Sequence, residues 1–243
     1  RSFAGALRTH ESFLGAEFVE STRSRFFFKD TATTETLRET GADDRMIEQM
    51  ERSLAYVDGA YMRGELVGHE APAITFDWWS GDEDVDTLAD LKGEVVVLDF
   101  WATWCGPCIA SMPNIRELVQ HYQGYPVRVV GVTSLQGTHY PQGGEPIDTE
   151  GDPEKEYGLM PEFMESLEMT WPVAFSSANV FNPDYGVRGI PHVAIIDPTG
   201  VVRHRGLHPA NSLASKAEKI DALLAEAGLP HPAPVAAETA GGE

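Results

Sequence analysis

One stretch constrains this chain more than any other: Val95–Val96–Val97–Leu98–Asp99–Phe100–Trp101, which leads within a few residues to Cys105–Gly106–Pro107–Cys108. Apolar side chains at successive positions over so short a run suit a β-strand covered on both faces. A polar turn, Leu88 to Gly93, precedes the strand, and the Gly–Pro pair between the cysteines suits entry into a helix. A sheet covered on both sides needs enough apolar residues to fill two layers. The 243 residues are 42% hydrophobic and 23% charged, so a core of that kind is within reach.

The pattern on either side of this junction extends the reading. Ala73 to Trp78 is a strand candidate; a helix is expected from Cys108 to about Tyr122, where Pro113 by itself reads as a breaker, followed by a strand over Val127 to Val132. Residues 134–158, rich in Gly, Pro and acids, read as a long insertion, and Pro161 to Met169 as a short helix with proline in its first turn. Val193 to Ile196 and Val201 to Leu207 flank Asp197–Pro198–Thr199–Gly200, a hairpin signal. Ala210 to Ala227 is an amphipathic helix that stops at Gly228–Leu229–Pro230. The fold class is therefore α/β, a mixed central sheet with helices on both faces.

Residues 65–228 form the main domain, carrying an acidic insertion over about 134–168. Residues 229–243, rich in Pro, Ala, Gly and Glu, are expected to be a disordered tail. Residues 1–64 are an extension with one or two helices between Thr34 and Met62, interrupted at Gly41, with Asp43 as a cap for the second part. Arg25 to Glu35 (RFFFKDTATTE) fits neither period and resembles translated adapter read-through, so residues before about 36 are of doubtful fidelity. No basic stretch followed by 7–15 apolar residues is visible, so an export signal is expected to be absent or lost.

The net charge of −20 argues against nucleic acid or an anionic membrane surface as partner. Glu145 to Glu168 hold nine acids against the single Lys155, which reads as a solvated face. No apolar run is long enough to span a membrane.

Two cysteines exclude a multi-disulfide scaffold and a four-cysteine zinc site. A half zinc site would need two more ligands, and no second CxxC or HxxxH supplies them; no metal or other cofactor is expected. At a strand-to-helix junction the pair can close a small disulfide, and the helix N-terminus stabilises the thiolate of the first cysteine. Cys105 is the expected nucleophile and Cys108 the resolving thiol.

DFWATWCGPC (Asp99 to Cys108) together with RGIPH (Arg188 to His192) resembles the thioredoxin superfamily. Gly68–His69–Glu70–Ala71–Pro72, Pro113 and the IIDPTG turn resemble its TlpA/ResA-type, redoxin branch of bacterial thiol–disulfide oxidoreductases, over about residues 68–228. The resemblance implies a thioredoxin-like fold, a cis peptide at Ile190–Pro191 beside Cys105, and a kinked active-site helix at Pro113. It also implies reduction of a disulfide-containing protein partner, recharge by an upstream thiol donor, and a periplasmic or other extracytoplasmic setting, with service to cytochrome c maturation one use; a cytosolic home is the alternative. A monomer is expected. Trp104, with Gly106, Pro107, Ile190 and Pro191, is expected to form the surface that meets the partner.

Two positions depart from that branch. Asp99 stands where Asn is usual, and Ser111 where Glu is frequent. The resemblance gives thioredoxin itself an Asp at this position; a buried Asp99 would have a raised pKa and could take the proton from Cys108, directly or through water. His192 follows the proline where Thr is common, and an imidazole there could lower the Cys105 pKa or touch the partner. Two other functions compete. A peroxiredoxin-like thiol peroxidase requires a proline ahead of the nucleophile that Trp101–Ala102–Thr103–Trp104 does not provide. A redox-switched binding module without turnover is the non-enzymatic alternative.

Overall fold

The computed structural model describes Arg38, Glu39 and residues 43–235. The read-through-like segment 25–35, the break at Gly41 and residues 236–243 lie outside these described residues. Six strands build the main sheet: β1 (Phe76–Trp79), β2 (Val95–Phe100), β3 (Val127–Thr133), β6 (Val173–Ser176), β7 (His192–Ile196) and β8 (Val202–Leu207), in the order β1-β6-β3-β2-β7-β8. β3 lies between β2 and β6 and runs parallel to both, whereas β1, β7 and β8 pair antiparallel with their neighbours. The sheet is therefore mixed and the fold thioredoxin-like.

Strand pleating divides the interior in two. Val95, Val97, Val193 and Ile195 point to one side, together with Cys105 and Cys108. Three long helices cover that face: α3 (Gly106–His121) through Met112, Ile115 and Leu118; α4 (Pro153–Ser166) through Met160 and Phe163; and α5 (Leu213–Glu226) through Ala217, Ile220 and Leu224. Right-handed crossovers from β2 to β3 and from β3 to β6 place α3 and α4 on the same side. Val96, Leu98, Phe100, Ala194 and Ile196 face the other way, where a 3-10 turn (Leu88–Leu91), Leu66, Ile74 and Tyr185 cover them. Leu88 to Gly93 is thus a helical turn rather than a purely polar loop, because Leu88 and Leu91 are buried.

The acidic insertion is more ordered than its composition implies. A two-stranded ribbon, β4 (Thr138–His139) with β5 (Ile147–Asp148), leads into α4, which begins at Pro153 and carries Pro161 in its interior. The start expected at Pro161 is corrected by eight residues. Asp152 caps the helix by accepting the Lys155 N–H at 3.1 Å, and burial of Met160 and Phe163 carries the helix past the missing proline N–H. The solvated-face reading holds for every acid of the run except Glu156, which is 3% exposed. The segment expected to form a tail is also partly held, since Leu229 and Val235 pack on the helix-covered core.

The described part of the N-terminal extension, from Asp43 to Gly64, is docked. Asp43 caps α1 (Asp44–Asp58), as its position suggests, by accepting the Arg45 N–H at 2.8 Å, and α2 (Ala60–Arg63) follows directly. The Ala60 N–H donates to the Asp184 carboxylate and the Tyr61 N–H to the Asp184 carbonyl, while the Arg188 guanidinium lies 4.3 Å over the Tyr56 ring. Gly59 is where the two segments touch, and a Cβ there would lie 2.2 Å from the Pro183 carbonyl oxygen. Gly59→Ala is expected to cost about 1–3 kcal/mol through backbone displacement, read as a lower denaturant midpoint. An unchanged midpoint would show that this docking contributes nothing to stability.

Candidate active site

Cys105 ends the turn after β2 and serves as N-cap of α3, its Sγ accepting the Cys108 N–H at 3.2 Å. Pro107 occupies the first turn, where a missing N–H costs nothing. The two cysteines form a disulfide with an S–S distance of 2.07 Å and are almost fully buried. On reduction, a thiolate at Cys105 lies at the positive end of α3 with the Cys108 N–H directed at it, the environment that lowers a thiol pKa. Cys108 sits one turn in, among Met112 and its neighbours in the core. Pro113 is inside the helix and interrupts the hydrogen-bond ladder without ending it.

Asp99 is the fifth residue of β2, and the pleat that sends Val95 and Val97 toward the cysteines sends Asp99 to the same side. It is 2% exposed, and its Oδ1 has no hydrogen-bond partner. Loss of hydration raises its pKa to about 7; the Lys216 ammonium opposes that rise. Ser111 donates its hydroxyl to the Pro107 carbonyl at 2.7 Å and so offers no proton path of its own.

Lys216 is a residue that motif and spacing do not single out. It lies on α5 and is itself buried, with Nζ donating to the carbonyls of Pro209 at 2.6 Å and Asn114 at 3.3 Å. Its pKa is lowered by desolvation, against the pull of Glu117 and Asp99. One signal points to it: within the apolar stripe Leu213, Ala217, Ile220 and Leu224, a lysine three residues after Leu213 faces inward. Lys216→Met removes the cation that holds Asp99 down. The pH midpoint of any step that depends on Asp99 is then expected to move upward, measurable as the carboxyl chemical shift or the pH–rate profile.

His192 does not join the cysteines. It alternates with Val193, so its ring lies on the opposite sheet face, edge-on to Phe100 with centroids 6.0 Å apart. Its Nε2 accepts the Gly206 N–H at 3.2 Å, which leaves the proton on Nδ1. Desolvation, with Arg205 nearby, lowers its pKa to about 4. A neutral imidazole on the far face supplies no cation to Cys105; the contacts His192 makes are the packing on Phe100 and the hydrogen bond from Gly206.

Of the remaining expected residues, Gly106 and Pro107 lie between the two cysteines in the first turn of α3. The Ile190–Pro191 peptide is cis, and Ile190 packs on the core that contains both cysteines. Trp104 is 41% exposed beside Cys105. Among the described residues no cluster of three or more His, Cys, Asp or Glu side chains could hold a metal, and no helix is long and apolar enough to cross a membrane.

Known proteins resemble this chain over the same region. A family model described as Redoxin matches residues 66–224. The thiol-disulfide oxidoreductase ResA of Oceanobacillus iheyensis is 30% identical over 138 residues, 56% of this chain and 62% of that protein. The thiol:disulfide interchange protein HelX of Rhodobacter capsulatus is 30% identical over 162 residues, 66% of this chain and 78% of HelX. The chain thus spans less than two thirds of the ResA relative. A solved structure of a putative thiol:disulfide interchange protein DsbE from Chlorobium tepidum superposes with a TM-score of 0.47 at 29% identity, over 64% of this chain and 95% of that one. With the family model matched across the body that carries the Cys105–Cys108 pair, the chain belongs to the redoxin family, in the TlpA/ResA-like branch of the thioredoxin superfamily.

Proposed function

We propose that this chain is a thiol–disulfide oxidoreductase that reduces protein disulfides through a mixed disulfide on Cys105. The observation that carries the reading is the Cys105–Cys108 disulfide placed at the N-terminus of α3, with the Cys105 Sγ accepting the Cys108 N–H. In the dithiol state the Cys105 thiolate attacks one sulfur of the partner's disulfide; a new S–S bond forms and the other partner sulfur leaves as a thiolate. Cys108 then gives its proton to Asp99 and attacks the Cys105 sulfur, which releases the second partner thiol. Two electrons have passed to the partner and the Cys105–Cys108 disulfide is restored. An external thiol donor recharges it.

Trp104, Gly106, Pro107 and the Ile190–Pro191 backbone form the contact surface in this reading, and the names of ResA and HelX support the class of reaction. The extracytoplasmic setting belongs to the same proposal. Insulin reduction with dithiothreitol as donor tests it against the alternatives. Multiple turnovers without hydrogen peroxide consumption are expected. Peroxide turnover without insulin reduction would replace the reading by a thiol peroxidase, and one stoichiometric oxidation without turnover by a redox-switched binding module.

A further inference from the structure

The acidic segment meets the loop before Cys105 at more than one point: the Tyr140 N–H donates to the Thr103 hydroxyl at 3.3 Å, and Gln136 meets Trp104. Trp104 is largely open to solvent, yet its indole is anchored: Nε1 donates to Gln136 Oε1 at 2.8 Å, and the ring stacks on Phe181 with centroids 6.2 Å apart. Gln136 is fixed in turn. Its Nε2 donates to the Ser134 carbonyl at 2.8 Å and hydroxyl at 3.0 Å, and its backbone N–H donates to Glu156 Oε1 at 2.9 Å. Glu156 also accepts the Gly137 N–H at 3.1 Å and the Thr149 hydroxyl at 2.7 Å. Glu156 belongs to α4, whose Met160 and Phe163 lie in the core. An unbroken path of contacts therefore runs from a helix seated in the core by Met160 and Phe163 to an exposed indole.

Stability alone does not require the outer part of this path. An indole as open as Trp104 can donate to water, so its bond to Gln136 contributes little to folding. What the bond does is remove rotational freedom from an aromatic ring next to the reactive sulfur, a cost otherwise met when a partner binds.

We infer that Gln136 and Glu156 are positioning residues that hold Trp104 as a preformed contact for a polypeptide bearing the disulfide. The inserted segment thereby sets a preference for protein over small disulfides. This rests on the proposed reaction at Cys105. A polypeptide extending from its disulfide covers the indole, whereas a small disulfide reaches Cys105 without touching much of it, so only the former gains from the ordering.

Full-length Gln136→Leu tests the inference. Its KM for insulin is expected to rise about fivefold more than its KM for hydroxyethyl disulfide, the effect of one neutral hydrogen bond. Trp104→Phe keeps an aromatic ring and removes the N–H, so adding Gln136→Leu in that background is expected to change nothing further. Glu156→Gln, which exchanges one acceptor for a donor, is expected to move insulin KM in the same direction. Equal losses on both disulfides, additive effects in the Trp104→Phe background, or an unchanged KM for insulin would each overturn the inference. Failure of the wild-type chain to turn over insulin would instead overturn the proposed function, which separates the two.

Discussion

Cys105→Ser is expected to lower turnover of protein disulfides by about a thousandfold or more, whereas Cys108→Ser is expected to accumulate partners bound covalently to Cys105. The difference follows from position. Cys105 caps α3, where the helix end and the Cys108 N–H favour a thiolate, while Cys108 lies within the first turn of that helix. A hydroxyl at 105 cannot form the mixed disulfide, so the first step is lost. A hydroxyl at 108 leaves that step intact and removes only the attack that ends it, so the intermediate persists. Insulin turbidity reads the first effect, and non-reducing gels with mass spectrometry the second. Turnover by Cys105→Ser, or a Cys108→Ser protein that holds no partner while still consuming insulin, would reverse the roles given to the two cysteines.

Asp99→Asn is expected to slow resolution of the mixed disulfide above neutral pH and at the same time to stabilise the fold. The folded-state pKa of about 7 lies above the ordinary aspartate value, so the native chain holds this proton more tightly than the unfolded one. The contribution to stability is complete below pH about 4 and is lost as pH rises through about 7. At pH 8 the ionised, buried carboxylate costs on the order of a few kcal/mol, of which asparagine recovers what its own buried amide does not cost. The resolving step needs the ionised carboxylate to receive the Cys108 proton, so in the wild type its rate rises with pH through about 7 and in Asp99→Asn that dependence is lost. Stability curves at pH 4 and pH 8 and a stopped-flow pH–rate profile check both halves. A substitution that destabilises at pH 8, or leaves the profile unchanged, contradicts the role. A folding defect cannot imitate the expected result, because stability and rate move in opposite directions.

Much of this site is legible in the amino-acid order alone. The apolar run into Cys105–Gly106–Pro107–Cys108 identifies β2, the N-terminus of α3 and the reactive pair, because strand burial, proline at a helix start and disulfide reach are local properties. The hairpin at Asp197–Gly200 and the cap at Asp43 are legible for the same reason. β6 is not, since four residues after Pro172 carry too little pattern, and its place between β1 and β3 depends on partners distant in sequence. The start of α4 is ambiguous because two prolines compete for it, and burial of Met160 and Phe163 favours the earlier one.

The amino-acid sequence by itself determined that two cysteines spaced for a disulfide stand at a strand-to-helix junction, with a carboxyl group six residues earlier in the strand that leads to them. Only the tertiary structure decided the surroundings of these groups. It placed His192 on the far face, brought the Lys216 ammonium from the last helix to oppose the rise in the Asp99 pKa, and tied Trp104 through Gln136 to Glu156. Bond-forming residues are specified by neighbours a few positions away. Their charge, orientation and solvation are set by residues that the chain brings together only when the sheet is paired and its two faces are covered.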